Sequence, residues 1–216
     1  RRHGPIDVGI GGLRLLLEEG HRLQDLARLA VAALGDLLGN PGLLEAFAAS
    51  ERLREVANLL IIAGNRDDIR DLDTGAEAVL TQLLLDLDAY GLYGSVALPK
   101  KHTADDIPQV YRAVAAGGGV FVNPALTEPF GLTLLEAAAS GLPLVATENG
   151  GPNDIISNCD NGLLVNPLDA EAIADALLRL LDDADAWQRA SGNGLAGGRR
   201  PYTWQPHAAR YVDTVR

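Results

Sequence analysis

Two glutamates, Glu128 and Glu136, flank Gly131 in the stretch TEPFGLTLLEAAASGLPLVAT (127–147). Glu128 falls in a loop beside Pro129, and Gly131 opens an expected helix on which Glu136 sits about a turn in. Gly131 lets the backbone approach a ligand closely. The first amides of the helix have no intrahelical partner, and such a helix end suits a phosphate or diphosphate. The two carboxylates can then accept hydrogen bonds from hydroxyls on either side of it, such as those of a sugar and a ribose. Taken singly, each glutamate is more simply a solvated charge; the combined motif is what points to a ligand.

These residues need a frame to hold them. Short apolar runs at 58–64, 95–99, 119–124, 142–146 and 162–166 read as buried strands. Helices are expected over 43–57, 75–90, 104–116, 131–140 and 169–183, with one or two more from Ala184 onward. Thr103 with Asp106 resembles a capping box opening the third of these. Strands alternating with such helices predict repeated βαβ units, hence an α/β fold with a doubly wound parallel sheet in a single Rossmann-like domain. In such a sheet, ligands bind beyond the carboxyl ends of the strands. Four consecutive strand ends here carry polar or glycine-rich loops: Gly64-Asn65-Arg66-Asp67-Asp68, Pro99-Lys100-Lys101-His102, Pro124 through Gly131, and Glu148-Asn149-Gly150-Gly151-Pro152. That edge is the candidate site.

The N-terminal part is less regular. Residues 12–30 suit an amphipathic helix weakened by Gly20, and the apolar run 29–35 fits a buried strand or more helix. Residues 1–40 are therefore set apart as an N-terminal extension, with a degenerate first strand as one reading of it, and the main domain is expected over 41–216. Among the remaining features, Gly117-Gly118-Gly119 reads as a helix stop, Cys159 as an inert small residue, and Trp187 and Trp204 as packing residues. Tyr90 and Tyr93 are expected to pack at a helix end.

The chain of 216 residues is 47% hydrophobic and 22% charged, with a formal charge of −11. That charge argues against a nucleic-acid or anionic-membrane partner, both of which need a basic footprint. No apolar run is long enough for a membrane span, and glycines and charges interrupt any signal-peptide core. A single cysteine excludes an internal disulfide, so a cytoplasmic location is expected. His3, His21, His102 and His207 are unclustered and lack metal-ligand spacing. Methionine is absent, so Arg1 is not expected to be an untouched translation start.

The stretch FVNPALTEPFGLTLLEAAASGLPLVATENGGPNDI (121–155) resembles the donor-site signature of family-four retaining glycosyltransferases, with its pair of glutamates. More narrowly, ANLLIIAGNRDDI (57–69), DAYGLYGSVALPKKHTADDIPQVYR (88–112) and NGLLVNPLDAEAIADALLRLL (161–181) are similar to sucrose-phosphate synthases. The resemblance implies the C-terminal, nucleotide-sugar-binding half of a B-type glycosyltransferase fold. It implies glucosyl transfer from UDP-glucose to fructose 6-phosphate with retention of configuration and with neither cofactor nor divalent metal. By the same resemblance Glu128 would hold hydroxyls of the transferred glucose, helped by amides near Phe130 and Gly131. Leu132, Thr133 and Leu134 would lie beside the diphosphate, Glu136 would bind the ribose, Gly64 and Asn65 would lie near the donor, and Lys100 would sit beside the base. Whether the donor is UDP-glucose or ADP-glucose stays open.

The sequence departs from this pattern twice. The family supplies an Arg and a Lys from the loop after the first strand, whereas GDLLGNPGLL (35–44) has neither, and no basic residue lies between Arg28 and Arg52. Losing one such contact to a developing oxyanion costs about 3–4 kcal/mol. Residues 1–27 are also too short to form the facing domain that would bind the sugar-phosphate acceptor. The expectation is a truncated donor domain that is inactive alone. The alternatives are a non-catalytic nucleotide or sugar-phosphate binding module and a structural remnant.

Overall fold

Alternate residues of each strand pack on opposite faces of one sheet. In β1 (Leu29–Ala33), Ala30 and Ala32 enter one apolar cluster and Val31 the other. In β2 (Asn58–Ile62), Leu59 and Ile61 are divided in the same way from Leu60. Val122 and Phe121 of β4 (Val120–Asn123) face opposite clusters, as do Val145 and Leu144 of β5 (Leu144–Thr147). With both faces covered, the strands read as continuous apolar runs. The computed structural model describes residues 29–33 and 42–197.

The six strands, completed by β3 (Val96–Ala97) and β6 (Gly162–Val165), form a parallel sheet in the order β3-β2-β1-β4-β5-β6. Helices α1 (Gly42–Ala49), α2 (Glu51–Val56), α3 (Thr74–Ala89) and α7 (Ala170–Leu181) cover one face. The other face is covered by α4 (Asp106–Ala116), α5 (Leu132–Ala139) and α6 (Pro152–Cys159). There Tyr111 meets Phe121 edge to face, with ring centroids 5.5 Å apart, a favoured aromatic geometry. A last helix, α8 (Ala184–Gly197), packs against α7 and ties back through Trp187, whose indole N–H donates to Gly119 O at 2.8 Å. The expected α/β, doubly wound architecture is the one observed.

Several elements differ in detail from the expectation. The run for which strand and helix stayed open is the strand β1, hydrogen-bonded between β2 and β4 at the middle of the sheet. The boundary expected at residue 41 thus falls between β1 and α1. The expected helix 43–57 is broken at Ser50, whose extended backbone and side-chain oxygen cap α2 through Leu53 N at 3.1 Å. A serine that can satisfy a backbone donor competes with helix continuation. Helix α4 starts at Asp106 because Asp106 accepts from both Thr103 N (2.7 Å) and Thr103 Oγ1 (2.8 Å), so only half of the expected reciprocal box forms. Helix α6 is not among the expected elements; its signals are Pro152 in its first turn and Asp160 in the left-handed region at its end.

Tyr90 and Tyr93 are exposed rather than packed. Gly117 caps α4 and Gly118 follows at φ +76, the expected helix stop. The helix expected over 12–30 lies outside the described residues up to 28, and its last two residues belong to β1. The stretch 34–41, Trp204 and the tail beyond Gly197 also lie outside them.

Candidate functional site

From β1 the chain winds outward through β2 to β3, and then returns to the middle to wind the other way through β4, β5 and β6. The crevice beyond the carboxyl edge at such a reversal is where open α/β sheets bind ligands. The loops after β2, β3, β4 and β5 flank it, and they form two separate assemblies.

The first assembly joins the loops after β4 and β5. Glu128 N donates to Asn149 O at 3.0 Å, and Gly151 N donates to Glu128 O at 2.8 Å, so the two loops run as a short parallel bridge. Asn149 reinforces it by donating from Nδ2 to Leu126 O at 3.2 Å. The Glu128 side chain is half-buried and hydrogen-bonded at both oxygens, with acceptor capacity left on Oε2. Its Oε1 accepts from Phe130 N (3.0 Å) and Gly131 N (2.8 Å), and its Oε2 accepts from Asn123 Nδ2 (3.3 Å). The amides at Phe130 and Gly131, expected to help hold a sugar, therefore lie on Glu128 itself.

Gly131 follows in the left-handed region at φ +81, and a Cβ there would stand 2.8 Å from Ile155 Cδ1. This turn starts α5 with no side-chain cap and no acidic residue in its first turn. Among the described residues, no acceptor meets the amides of Leu132, Thr133 and Leu134, and the buried Thr133 Oγ1 has no partner. Leu134 anchors the helix in the core at 0% exposure, whereas Phe130 and Leu132 are 79% and 70% exposed. Glu136 is also exposed and stands four residues after Leu132, on the same helix face. The helix thus presents open donors at its start and a carboxylate one turn along.

The second assembly joins the loops after β2 and β3. Gly64, at φ +77, is exposed. Asn65 donates from Nδ2 to His102 O (2.8 Å) and accepts from His102 N at Oδ1 (2.6 Å), so its side chain clasps the neighbouring loop. Arg66 is buried, with Nη1 on Pro99 O (3.1 Å) and Nη2 on Leu98 O (3.3 Å). Lys100 is exposed and reaches Asp67 O at 3.5 Å, while Lys101 pairs with the Asp67 carboxylate. Beside them lies a cleft of about 570 Å³ lined by Asp67, Asp68, Asp106, Lys101 and His102, among others. Glu128 and Glu136 do not line it.

Hydrogen bonds from Arg70 hold the Asp68 carboxyl well below the usual carboxylate range. Hydrogen bonds from the backbone and hydroxyl of Thr103 likewise lower Asp106. Among the described residues, no ion pair reaches Glu128 or Glu136. No group of three or more His, Cys, Asp or Glu side chains there is placed to hold a metal ion, and no helix is long and apolar enough to cross a membrane.

Asn123 and Arg66 organise this edge, although the sequence pattern singles out neither as a site residue. The available signal at position 123 is a polar residue closing the apolar strand VFVN. At 66 the charge itself misleads, because it is spent on backbone carbonyls.

A parallel sheet of this winding, with an open helix start flanked by two carboxylates, is one Rossmann-like half of the B-type glycosyltransferase architecture. The chain belongs to the group 1 glycosyl transferases, whose family model matches residues 20–195. Within that family it is similar to sucrose-phosphate synthases. It is 54% identical to the Zea mays enzyme over 173 residues, covering 80% of this chain and 16% of that protein. The chain thus spans about a sixth of the length of that relative. The structure of sucrose-phosphate synthase from Thermosynechococcus elongatus superposes with a TM-score of 0.69 at 24% identity, covering 94% of this chain and 48% of that one. Anabaena HepE in complex with UDP-glucose gives a TM-score of 0.72 at 20% identity, covering 98% of this chain and 53% of that one.

Proposed function

We propose that this chain is the donor-binding part of a sucrose-phosphate-synthase-type glycosyltransferase and that it binds UDP-glucose at the α5 end of the sheet. The observation that carries the reading is the start of α5. Three amides without acceptors follow a carboxylate held in place by Asn123 and its own loop, and a second carboxylate stands exposed on the same helix. The diphosphate would take the amides of Leu132, Thr133 and Leu134. Glu136 would accept from the ribose hydroxyls, and Glu128 from the glucose. Gly64 and Asn65 would border the donor, with Lys100 near the base.

In the complete reaction the bond from the anomeric carbon to the diphosphate breaks, and a bond to the acceptor hydroxyl of fructose 6-phosphate forms. The hydroxyl proton leaves with the departing diphosphate, and configuration is retained. The acceptor would be held by a facing domain, so this chain's own part is donor binding.

A second reading is a module that holds a nucleotide sugar weakly without turnover. It is favoured by the absence of any basic residue between Arg28 and Arg52, where a cation would meet the diphosphate.

The test is calorimetric titration of the 216-residue chain with UDP and UDP-glucose, repeated with Glu136→Ala. Micromolar binding that Glu136→Ala weakens by roughly 10–100-fold, the worth of a charge-assisted hydrogen-bond pair, supports the donor site. Millimolar binding that still depends on Glu136 supports the weak module. No heat with millimolar nucleotide sinks both.

A further inference from the structure

Few polar side chains are buried among the described residues, and Asn123, at 0% exposure, is one of them. It is the last residue of β4, one position before the loop that carries Glu128. Both ends of its amide are used. Oδ1 accepts from Ala125 N at 3.1 Å, which closes the turn out of the strand. Nδ2 donates to Glu128 Oε2 at 3.3 Å. The orientation of the amide follows from its partners, since an N–H requires the oxygen and a carboxylate requires the nitrogen.

The remaining donors to Glu128 are the amides of Phe130 and Gly131, two and three residues farther along the same loop. Phe130 belongs to that loop and Gly131 caps α5, so neither amide ties the carboxylate to the sheet. Asn123 makes the only hydrogen bond among the described residues that ties the Glu128 carboxylate to a strand. Groups aimed from rigid elements hold their geometry better than groups aimed from loops.

We infer that Asn123 is a positioning residue that sets the aim of Glu128, and that through Glu128 it governs recognition of the sugar while leaving recognition of the nucleotide untouched. The inference rests on the donor-site reading above. Asn123 itself touches no part of the donor. Its influence reaches only what Glu128 would contact, and the nucleotide lies on α5 beyond it.

The experiment separates the two bonds of Asn123. In Asn123→Ser the short hydroxyl can still cap Ala125 N but cannot reach Glu128. In Asn123→Asp the volume and the cap are kept, while the amide donor facing Glu128 is replaced by a second acidic group that repels that carboxylate or shares a proton with it. Both variants are titrated with UDP and with UDP-glucose, alone and combined with Glu128→Gln. The expected result is about a tenfold weaker affinity for UDP-glucose, the worth of one hydrogen bond to a charged group, with UDP affinity changed less than about twofold. In the Glu128→Gln background, the Asn123 substitution adds no further loss, because its effect passes through that carboxylate.

Equal loss for UDP and UDP-glucose would make Asn123 a general support of the loop and overturn the inference. So would an unchanged UDP-glucose affinity, or additive losses in the double variant. If the unmodified chain binds neither ligand, the donor-site reading falls and the inference falls with it, an outcome distinct from the other three. Should Asn123→Ser unfold, Asn123→Asp carries the same comparison.

Discussion

Any side chain at Gly150 would place its Cβ 2.2 Å from the carbonyl oxygen of Glu128, and Gly150 itself lies at φ +111. The loops after β4 and β5 meet there as bare backbone. Gly151 repeats the arrangement, since a Cβ on it would stand 2.6 Å from Phe130 O. Backbone atoms on both sides leave nothing flexible to yield. Gly150→Ala is therefore expected to force the loops apart and cost about 2–4 kcal/mol through strain and lost loop hydrogen bonds. Urea unfolding checks this, and a midpoint equal to that of the unmodified chain would show that the loops separate freely.

Arg66 spends its guanidinium on the backbone. It bridges Leu98 O and Pro99 O, and its own N–H donates to Lys100 O at 2.9 Å. Because β3 has only two residues, these bonds extend the attachment of its loop to β2. A lysine has the charge but lacks the planar fork needed to serve two carbonyls. Arg66→Lys is expected to lose about 1–3 kcal/mol of stability and to speed amide exchange in the loop after β3. A stability and exchange pattern indistinguishable from the unmodified chain would place the role of Arg66 in solvent instead.

Asp106 links pH to the start of α4. Its folded carboxyl lies below the ordinary value of 3.8, chiefly through the backbone and then the hydroxyl of Thr103. A carboxyl lowered by folding stabilises the protein above its ordinary value, and that contribution is lost as pH falls through the lowered one. Asp106→Asn should therefore melt at a lower temperature than the unmodified chain at pH 7. The gap should narrow as pH falls from about 4 toward 2. Thermal melts across that range check it; a gap that widens toward acid would reverse the assignment.

Much of this was legible because local rules and the global fold agree. The apolar runs at 58–64, 119–124 and 142–146 could be read as buried strands because both faces of the sheet are covered. The glutamates at 128 and 136 could be read as a pair because Gly131 between them marks a helix start. Helix α6 escaped because PNDIISNC is short and mostly polar, so that its buried face rests on Pro152, Ile155, Ile156 and Cys159 alone; Pro152 at its start and Asp160 after it mark its bounds. Strand β1 stayed open between helix and strand because LAVAA suits either, and pairing with both β2 and β4 resolves it.

The sequence by itself determined the alternation of strands and helices from β2 onward apart from α6, the edge of the sheet where the polar loops gather, and the kinship with the group 1 glycosyl transferases. Periodicity, turn residues and motif spacing all act over a few residues, and each leaves a local mark. Tertiary structure alone decided how those loops are used. It placed the Phe130 and Gly131 amides on the Glu128 carboxylate, turned Asn123 toward that carboxylate, and buried the guanidinium of Arg66 among carbonyls. A donor's partner is whichever acceptor the fold brings within about 3 Å. For Arg66 the acceptors come from the loop after β3, more than thirty residues away in sequence, and no local pattern records them.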